Sequence, residues 1–327
     1  MNCCIDCFKD PWLRGYVETH STQRGECSFC SATDSQLITP IELSHLFENL
    51  LAMYHEPVPG DNIGNLEEPW SAGAPLIKLI QRHWDVFSDR AFESGEAANL
   101  LDEIAESEWD PDGGVFARES GDLVVARINI STMAEQWVDY CFEVMSDPWR
   151  EIASHELPDS LFNDAADSIP EGTILYRARL GYLPGNDGDK PVAYSGEEMG
   201  PPPPTKAIAS RANEQYRPVL YCADQEKTAV AEIRPARGLL VSVCEIRVKR
   251  NLKILDLSKD IDLPNPFLTK DLNFAVEMAA LRRELGQALG KPLDRNDNPL
   301  EYLPAQRLAI HVKRKGFAGI RYPSARG

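Results

Sequence analysis

The apolar positions of the first half of the chain repeat at helical spacing. Leucine, isoleucine, phenylalanine and tryptophan side chains recur three and four residues apart in segments 39–51 and 76–87. In segment 131–144 the same spacing is made by Met133, Trp137, Tyr140, Cys141 and Val144. This period is typical of amphipathic helices that bury one face. The pattern therefore predicts a mainly α-helical domain over residues 36–170.

The pattern changes near Pro170-Glu171-Gly172, where runs of β-branched and aromatic residues begin to alternate with helical segments. Turn-forming residues at such a change are typical of a domain boundary. Residues 171–327 are therefore predicted to form a domain with a mixed β-sheet and helices, which makes the protein α+β overall. The predicted strands are 173–179, 218–222, 238–248, 252–257 and 319–322, and the predicted helices are 224–233, 267–289 and 301–315.

The composition indicates a folded protein without a membrane span. Hydrophobic residues make up 43% of the chain and charged residues 26%, which is too apolar for a disordered chain. No apolar run reaches the roughly 20 residues that a spanning helix needs, and the N-terminus does not resemble a signal peptide. We therefore expect a cytoplasmic protein that does not bind membranes.

The net charge of −17 is divided unevenly along the chain. Residues 1–170 contain 9 Lys and Arg against 32 Asp and Glu, whereas residues 171–327 contain 25 against 19. An acidic segment repels nucleic acid, and a mildly basic segment attracts a small anion. The distribution argues against a nucleic-acid partner and favours a ligand such as a dinucleotide in the second half.

Five of the eight cysteines lie within the first 30 residues. Two Cys-x2-Cys pairs in this segment can supply four thiolates to a tetrahedral Zn²⁺. Such a closed site is structural, because it leaves no open position for catalysis. Whether Cys3 or His20 also joins the site is left open. Residues 1–35 are therefore predicted to form a zinc knuckle with the ligands Cys4, Cys7, Cys27 and Cys30.

Four short segments of the second half carry the candidate chemistry. Each is common by itself, but their order and the eleven-residue spacing from Tyr221 to Glu232 are specific. The segments are Leu175-Tyr176-Arg177; Ser210-Arg211-Ala212-Asn213 with Pro218-Val219-Leu220-Tyr221; Thr228-Ala229-Val230-Ala231-Glu232; and Gly319-Ile320-Arg321-Tyr322-Pro323-Ser324.

This set resembles the RES domain, which is named for its Arg, Glu and Ser, and the first half is similar to the HEPN/RES-type N-terminal region. The resemblance implies an ADP-ribosyltransferase-like fold that binds NAD⁺ and cleaves the bond between nicotinamide and ribose, as a glycohydrolase or a phosphorylase. It also implies a toxin of a toxin–antitoxin or phage-defence system, with an antitoxin or a trigger protein as partner. Many members have Gly-Gly-Arg-Trp-Asn where this chain has Ala209-Ser210-Arg211-Ala212-Asn213.

The residues of the motifs suit this reaction. Cleavage of an N-glycosidic bond develops positive charge on the ribose, which a carboxylate stabilises, and guanidinium forks suit a pyrophosphate. A tyrosine offers a ring face to nicotinamide or a hydroxyl to ribose, and a serine hydroxyl can reach either group. The predicted catalytic residues are Glu232, Arg177, Tyr221 and Ser324, and the predicted NAD⁺-binding residues are Arg177, Arg211, Asn213, Tyr221 and Ser324.

Three alternatives remain at this stage. The same residues could transfer ADP-ribose to a protein, so the acceptor can be water, phosphate or a protein side chain. Arg150 and His155 match the Arg-x4-His spacing of HEPN ribonucleases, although the acidic first half is poorly suited to a polyanion. The chain could also be a non-enzymatic sensor. The sequence leaves the oligomeric state open, and a homo-oligomer is compatible with it.

Overall fold

A computed structural model shows an α+β protein, as the sequence predicts. The chain divides into two compact units, Met1–Met133 with Asp262–Ala280, and Ala134–Ile261 with Leu281–Gly327. The predicted boundaries after residues 35 and 170 stay predictions. In the part of the chain that the structure describes, no helix is both long and apolar enough to cross a membrane. The described residues are 1–56, 73–105, 120–126, 132–149, 157–185, 190–259, 263–291 and 298–324.

The first unit joins small antiparallel sheets to short amphipathic helices. Its apolar faces have the predicted spacing, and Phe47, Leu79 and Leu100 are fully buried in one core. Strand order is β1-β3-β2 in one sheet and β4-β6-β5 in another. The elements are β1 (Cys3–Cys4), α1 (Pro11–His20), β2 (Gln23–Gly25), β3 (Ser35–Ile38), α2 (Ser44–Leu51), β4 (Tyr54–His55), β5 (Ala74–Pro75), α3 (Leu76–Trp84), α4 (Asp89–Glu93), α5 (Glu96–Ala105) and β6 (Leu123–Ala126).

The second unit contains a two-stranded sheet, a three-stranded sheet and helices. Strand β8 pairs with β9 in antiparallel register from Ile174 opposite Arg247 to Leu180 opposite Val241. Strand β10 pairs antiparallel with β7 and parallel with β11. The elements, of which α6 and α9 begin among residues of the first unit, are α6 (Thr132–Ser146), α7 (Asp159–Asp164), β7 (Ala166–Ile169), β8 (Ile174–Leu180), α8 (Glu226–Glu232), β9 (Val241–Arg247), β10 (Leu252–Asp256), α9 (Leu272–Gly290), α10 (Leu303–Arg314) and β11 (Gly319–Arg321).

One predicted strand is wrong. Segment 218–222, which includes Tyr221, does not form a regular strand. It meets β8 through a single bridge, in which Tyr176 and Ala223 exchange two backbone hydrogen bonds of 2.8 Å. A longer ladder is prevented because Pro218 has no N–H to donate and the Tyr221 carbonyl accepts from the Arg177 side chain instead.

Candidate functional site

The carboxylate of Glu232 is held from two sides at the end of α8. Its Oε2 accepts a hydrogen bond of 2.5 Å from Nη2 of Arg211, and its Oε1 accepts one of 2.7 Å from the hydroxyl of Ser324. The helix ends directly after Glu232 because Arg234 takes a left-handed φ of 46° and Pro235 cannot continue the helix. Three distant segments therefore meet at one acidic side chain.

Arg211 is buried, with 7% of its surface exposed. Besides Glu232, its guanidinium binds the C-terminal end of α9, where Nη1 donates to the carbonyls of Gly290 at 3.1 Å and Lys291 at 3.4 Å. Carbonyls at a helix C-terminus lack intrahelical partners and attract a cation. The ring of Tyr322 lies 5.5 Å from Cζ of Arg211, and burial raises the pKa of Tyr322 to about 12, so this ring is neutral.

Tyr221 and Asn213 form a second network next to Arg211. The Tyr221 hydroxyl accepts from the backbone N–H of Ala212 at 3.0 Å and donates to Oδ1 of Asn213 at 2.9 Å. Nδ2 of Asn213 in turn donates to the carbonyls of Ile208 and Glu214. Burial raises the pKa of Tyr221, which keeps its hydroxyl protonated as this network requires. Asn213 is therefore a loop-forming residue in this structure.

Arg177 extends from β8 towards the same loop. Its Nη1 donates to the carbonyl of Tyr221 at 3.3 Å, whereas its Nε is buried and has no hydrogen-bond partner among the described residues. Burial lowers the pKa of Arg177, although a guanidinium stays charged in proteins. A buried donor without a partner is costly, so this side chain is suited to an anionic ligand.

The structure thus brings the predicted residues into one contact network. Glu232, Arg211 and Ser324 touch directly, and Tyr221 links the loop of Arg211 to Arg177. Their roles in binding and catalysis stay predictions. Arg150 and His155, the residues of the alternative ribonuclease motif, lie outside the described residues.

Sequence reasoning missed two glycines of α9 that shape this network. A Cβ on Gly290 would lie 2.8 Å from the carbonyl oxygen of Pro323, and one on Gly286 would lie 2.8 Å from that of Leu257. Both distances are shorter than real contacts, so only glycine lets α9 approach the backbone beside Ser324 this closely. The available signal was the spacing of two glycines four residues apart in a predicted helix, which places them on one face.

The four predicted zinc ligands form a cluster in the first unit. Cys4, Cys7, Cys27 and Cys30 are buried, and their sulfur atoms all lie within 4.8 Å of one another. The sulfur pairs Cys4–Cys30 and Cys7–Cys27 are each 3.4 Å apart. A tetrahedral Zn²⁺ with bonds of about 2.3 Å separates its sulfur ligands by about 3.8 Å, which these distances fit. The cluster can therefore hold a metal ion.

Two further candidate ligands, Cys3 and His20, lie outside this cluster. The thiol of Cys3 donates to the carbonyl of Ile38 at 3.5 Å. The ring of His20 stacks on Tyr16 at the end of α1, with 3.9 Å between ring centroids. The group of four sulfur atoms includes neither residue.

A comparison with known families identifies the second half of the chain. Residues 174–327 match the model of the RES domain. No curated protein and no solved structure matches the chain. The matched range contains all four motif segments and the whole network around Glu232. In general terms, the match indicates a domain that acts on NAD⁺.

Proposed function

Because residues 174–327 are a RES domain, we propose that the protein is an enzyme that degrades NAD⁺ by cleaving the bond between nicotinamide and ribose. The observation that carries the proposal is the carboxylate of Glu232, fixed by Arg211 and Ser324 in the same network as Arg177 and Tyr221. The acceptor of the ADP-ribose group is water in a glycohydrolase or phosphate in a phosphorylase.

Each role follows from the chemistry of the residue. Glu232 stabilises the positive charge that develops on the ribose as nicotinamide leaves. A preorganised carboxylate lowers the free energy of this charged transition state more than that of the bound substrate. Arg177 binds the pyrophosphate through its guanidinium, whose described contact is the long one from Nη1 to the carbonyl of Tyr221. Tyr221 offers its ring to the nicotinamide, since its hydroxyl is bound within the loop. Ser324 orients Glu232 and the ribose hydroxyls.

The biological setting that fits this activity is a toxin of a toxin–antitoxin or phage-defence system. Loss of NAD⁺ stops growth, so such an enzyme needs restraint by an antitoxin or activation by a trigger protein. We further propose that the cysteine cluster binds one structural Zn²⁺, which would supply cross-links in a loop-rich segment with little core of its own.

Chromatography of the products tests the function. The purified protein is incubated with NAD⁺, with and without phosphate, and we expect release of nicotinamide with ADP-ribose or its 1-phosphate. Glu232→Gln preserves the shape of the side chain but removes its charge, and we expect it to abolish the release. Glu226→Gln, at an exposed position of the same helix, is the matched control and should leave the rate unchanged.

Intact NAD⁺ with the wild-type protein would refute the proposal. Radiolabel transferred from NAD⁺ to a protein band would instead show an ADP-ribosyltransferase. RNA cleavage that His155→Ala removes would favour the ribonuclease.

A further inference from the structure

We propose that Arg211 is a positioning residue that acts through Glu232, and that it is not a ligand of the NAD⁺ pyrophosphate. The inference deepens the proposed function and rests on it. It assigns the two arginines of the motifs to different tasks, although both residues present the same chemical group.

The two terminal nitrogens of Arg211, Nη1 and Nη2, are already bound within the protein. Nη2 is bound to Glu232 at 2.5 Å, and Nη1 is shared between the carbonyls of Gly290 and Lys291. Nε is buried without a hydrogen-bond partner among the described residues, and the residue as a whole is 7% exposed. A pyrophosphate is bound through a pair of outward donors on the guanidinium edge. A ligand could reach those of Arg211 only by breaking its contacts with Glu232 or with the helix end.

The surroundings of Arg211 fix it rigidly rather than leave it adaptable. The C-terminal end of α9 holds one side of the guanidinium, and the neutral ring of Tyr322 lies 5.5 Å from its Cζ. The same helix end contacts the backbone of Pro323, next to Ser324, because Gly290 has no Cβ. One helix end thus contributes to the positions of Arg211 and Ser324, two groups that hydrogen-bond to Glu232.

The ion pair with Arg211 acts electrostatically on the carboxylate of Glu232. An ion pair with a buried arginine fixes the rotamer of Glu232 through Oε2, while Oε1 accepts the hydrogen bond of the Ser324 hydroxyl. Arg177 differs in exposure and in the use of its terminal nitrogens, because it is half-buried and its Nη1 contact is long at 3.3 Å. Both arginines have a buried Nε without a partner among the described residues, so the difference between them lies in the terminal nitrogens.

Kinetics on the full chain separate the two roles. A positioning residue affects the transition state, so Arg211→Gln should lower kcat by about 100-fold, the scale of a misplaced catalytic group, and change KM for NAD⁺ by less than about threefold. Arg211→Lys keeps the positive charge but lacks the planar guanidinium with its several donors. Its kcat should therefore lie between those of Arg211→Gln and the wild type. Arg177→Gln should raise KM for NAD⁺, because it removes a ligand contact.

Two further measurements exclude a merely structural effect. Calorimetric titration with ADP-ribose should give an unchanged Kd for Arg211→Gln and a weakened Kd for Arg177→Gln. Added guanidinium ion at millimolar concentration should partly restore kcat to Arg211→Ala by entering the vacated space. A lost protein fold would not respond to such a small cation.

The test of the positioning role of Arg211 can fail separately from the test of NAD⁺ degradation. A tenfold rise in KM or in the Kd for ADP-ribose with Arg211→Gln, at unchanged kcat, would overturn the positioning role while leaving the NAD⁺-degrading activity intact. If the wild-type protein leaves NAD⁺ intact, the function fails, and the ADP-ribose titration still decides which arginine binds the pyrophosphate. If Arg211→Gln does not fold, Arg211→Lys carries the same comparison of kcat with KM.

Discussion

The hydroxyl of Ser324 lies 2.7 Å from Oε1 of Glu232, although the two residues are 92 positions apart in the sequence. The contact depends on the register of β11, which runs parallel to β10 and places Arg321 opposite Asp256. Nη1 of Arg321 donates to the buried carboxylate of Asp256 at 2.9 Å, and this ion pair holds the strand that leads to Ser324.

Removal of the serine hydroxyl should impair catalysis without unfolding the protein. A hydrogen bond to a charged group contributes about 1.5–3 kcal/mol, so Ser324→Ala is expected to lower kcat/KM for NAD⁺ by roughly tenfold to a hundredfold. Ser324→Thr retains a hydroxyl and should keep most of the activity. Initial rates of nicotinamide release give the comparison, and equal rates for Ser324→Ala and wild type would rule out a role for this hydroxyl.

A methyl group at Gly290 should displace Ser324 from Glu232, although the glycine itself carries none of the predicted catalytic groups. Its Cβ would lie 2.8 Å from the backbone oxygen of Pro323, so Gly290→Ala forces the helix end and the Ser324 segment apart. We expect a loss of about 1–3 kcal/mol in the free energy of unfolding, together with a reduced rate of NAD⁺ cleavage. Gly15→Ala in α1 is the control, because nothing lies within 4 Å of its Cβ. That change should stabilise its helix by up to about 1 kcal/mol, as thermal denaturation can measure.

The ring and the hydroxyl of Tyr221 should have separable roles. The hydroxyl binds Ala212 and Asn213, so Tyr221→Phe is expected to cost about 1 kcal/mol of stability while KM for NAD⁺ changes little. Tyr221→Ala removes the ring as well and should raise KM. A double-mutant cycle of Tyr221→Phe with Asn213→Ala should give a coupling energy of 0.5 kcal/mol or more, on the order expected for direct contact. Additive effects would show that the observed contact is energetically unimportant.

Metal analysis should find one zinc ion per chain. Cys27→Ser removes one sulfur of the cluster and is expected to abolish zinc retention and to lower the melting temperature. Cys3→Ser is the matched control, because Cys3 is equally buried but lies outside the cluster, and it should retain the metal. Mass spectrometry of the native protein and melting curves with a chelator provide the readouts. Full zinc retention in Cys27→Ser would contradict the site.

His83 should make the protein less stable in mild acid. Burial, together with the charge of Arg82, lowers the pKa of His83 to about 4, and Nδ1 of His83 lies 3.1 Å from the hydroxyl of Tyr54. Between pH 6.5 and 4 the unfolded chain binds a proton that the folded chain does not. The contribution of His83 to stability is therefore complete above pH 6.5 and is lost as the pH falls towards 4, by on the order of 3 kcal/mol.

Urea unfolding at several pH values tests this dependence. His83→Gln removes the titrating group and should flatten the fall in stability between pH 6.5 and 4. His45→Gln, at an exposed position, is the control and should leave that fall unchanged. An equal fall in wild type and His83→Gln would assign the acid sensitivity to other groups.

Local patterns predicted much of the fold because they depend on chain geometry. Helical periodicity located α2, α3, α8 and α10 to within a few residues, and the alternating runs located the strands β8 and β9. The strand prediction for segment 218–222 was wrong. Its apolar residues suit a strand, but strand formation also needs a partner for each backbone group. The Arg177 side chain takes the carbonyl of Tyr221, and a sequence pattern does not record that competition.

By itself, the sequence predicted which residues carry chemistry and determined which residue types stand in the motifs. The paired cysteines, the motif arginines, Tyr221, Glu232 and Ser324 are identified by residue type and spacing. Only the tertiary structure shows their contacts, in which Arg211 is turned towards Glu232 and α9 while Arg177 makes a long contact with the carbonyl of Tyr221. The reason is physical, because those partners are backbone carbonyls and side chains many positions away. Every residue has a carbonyl, so only the packing of α9 and the register of β11 select the ones that Arg211 and Ser324 meet.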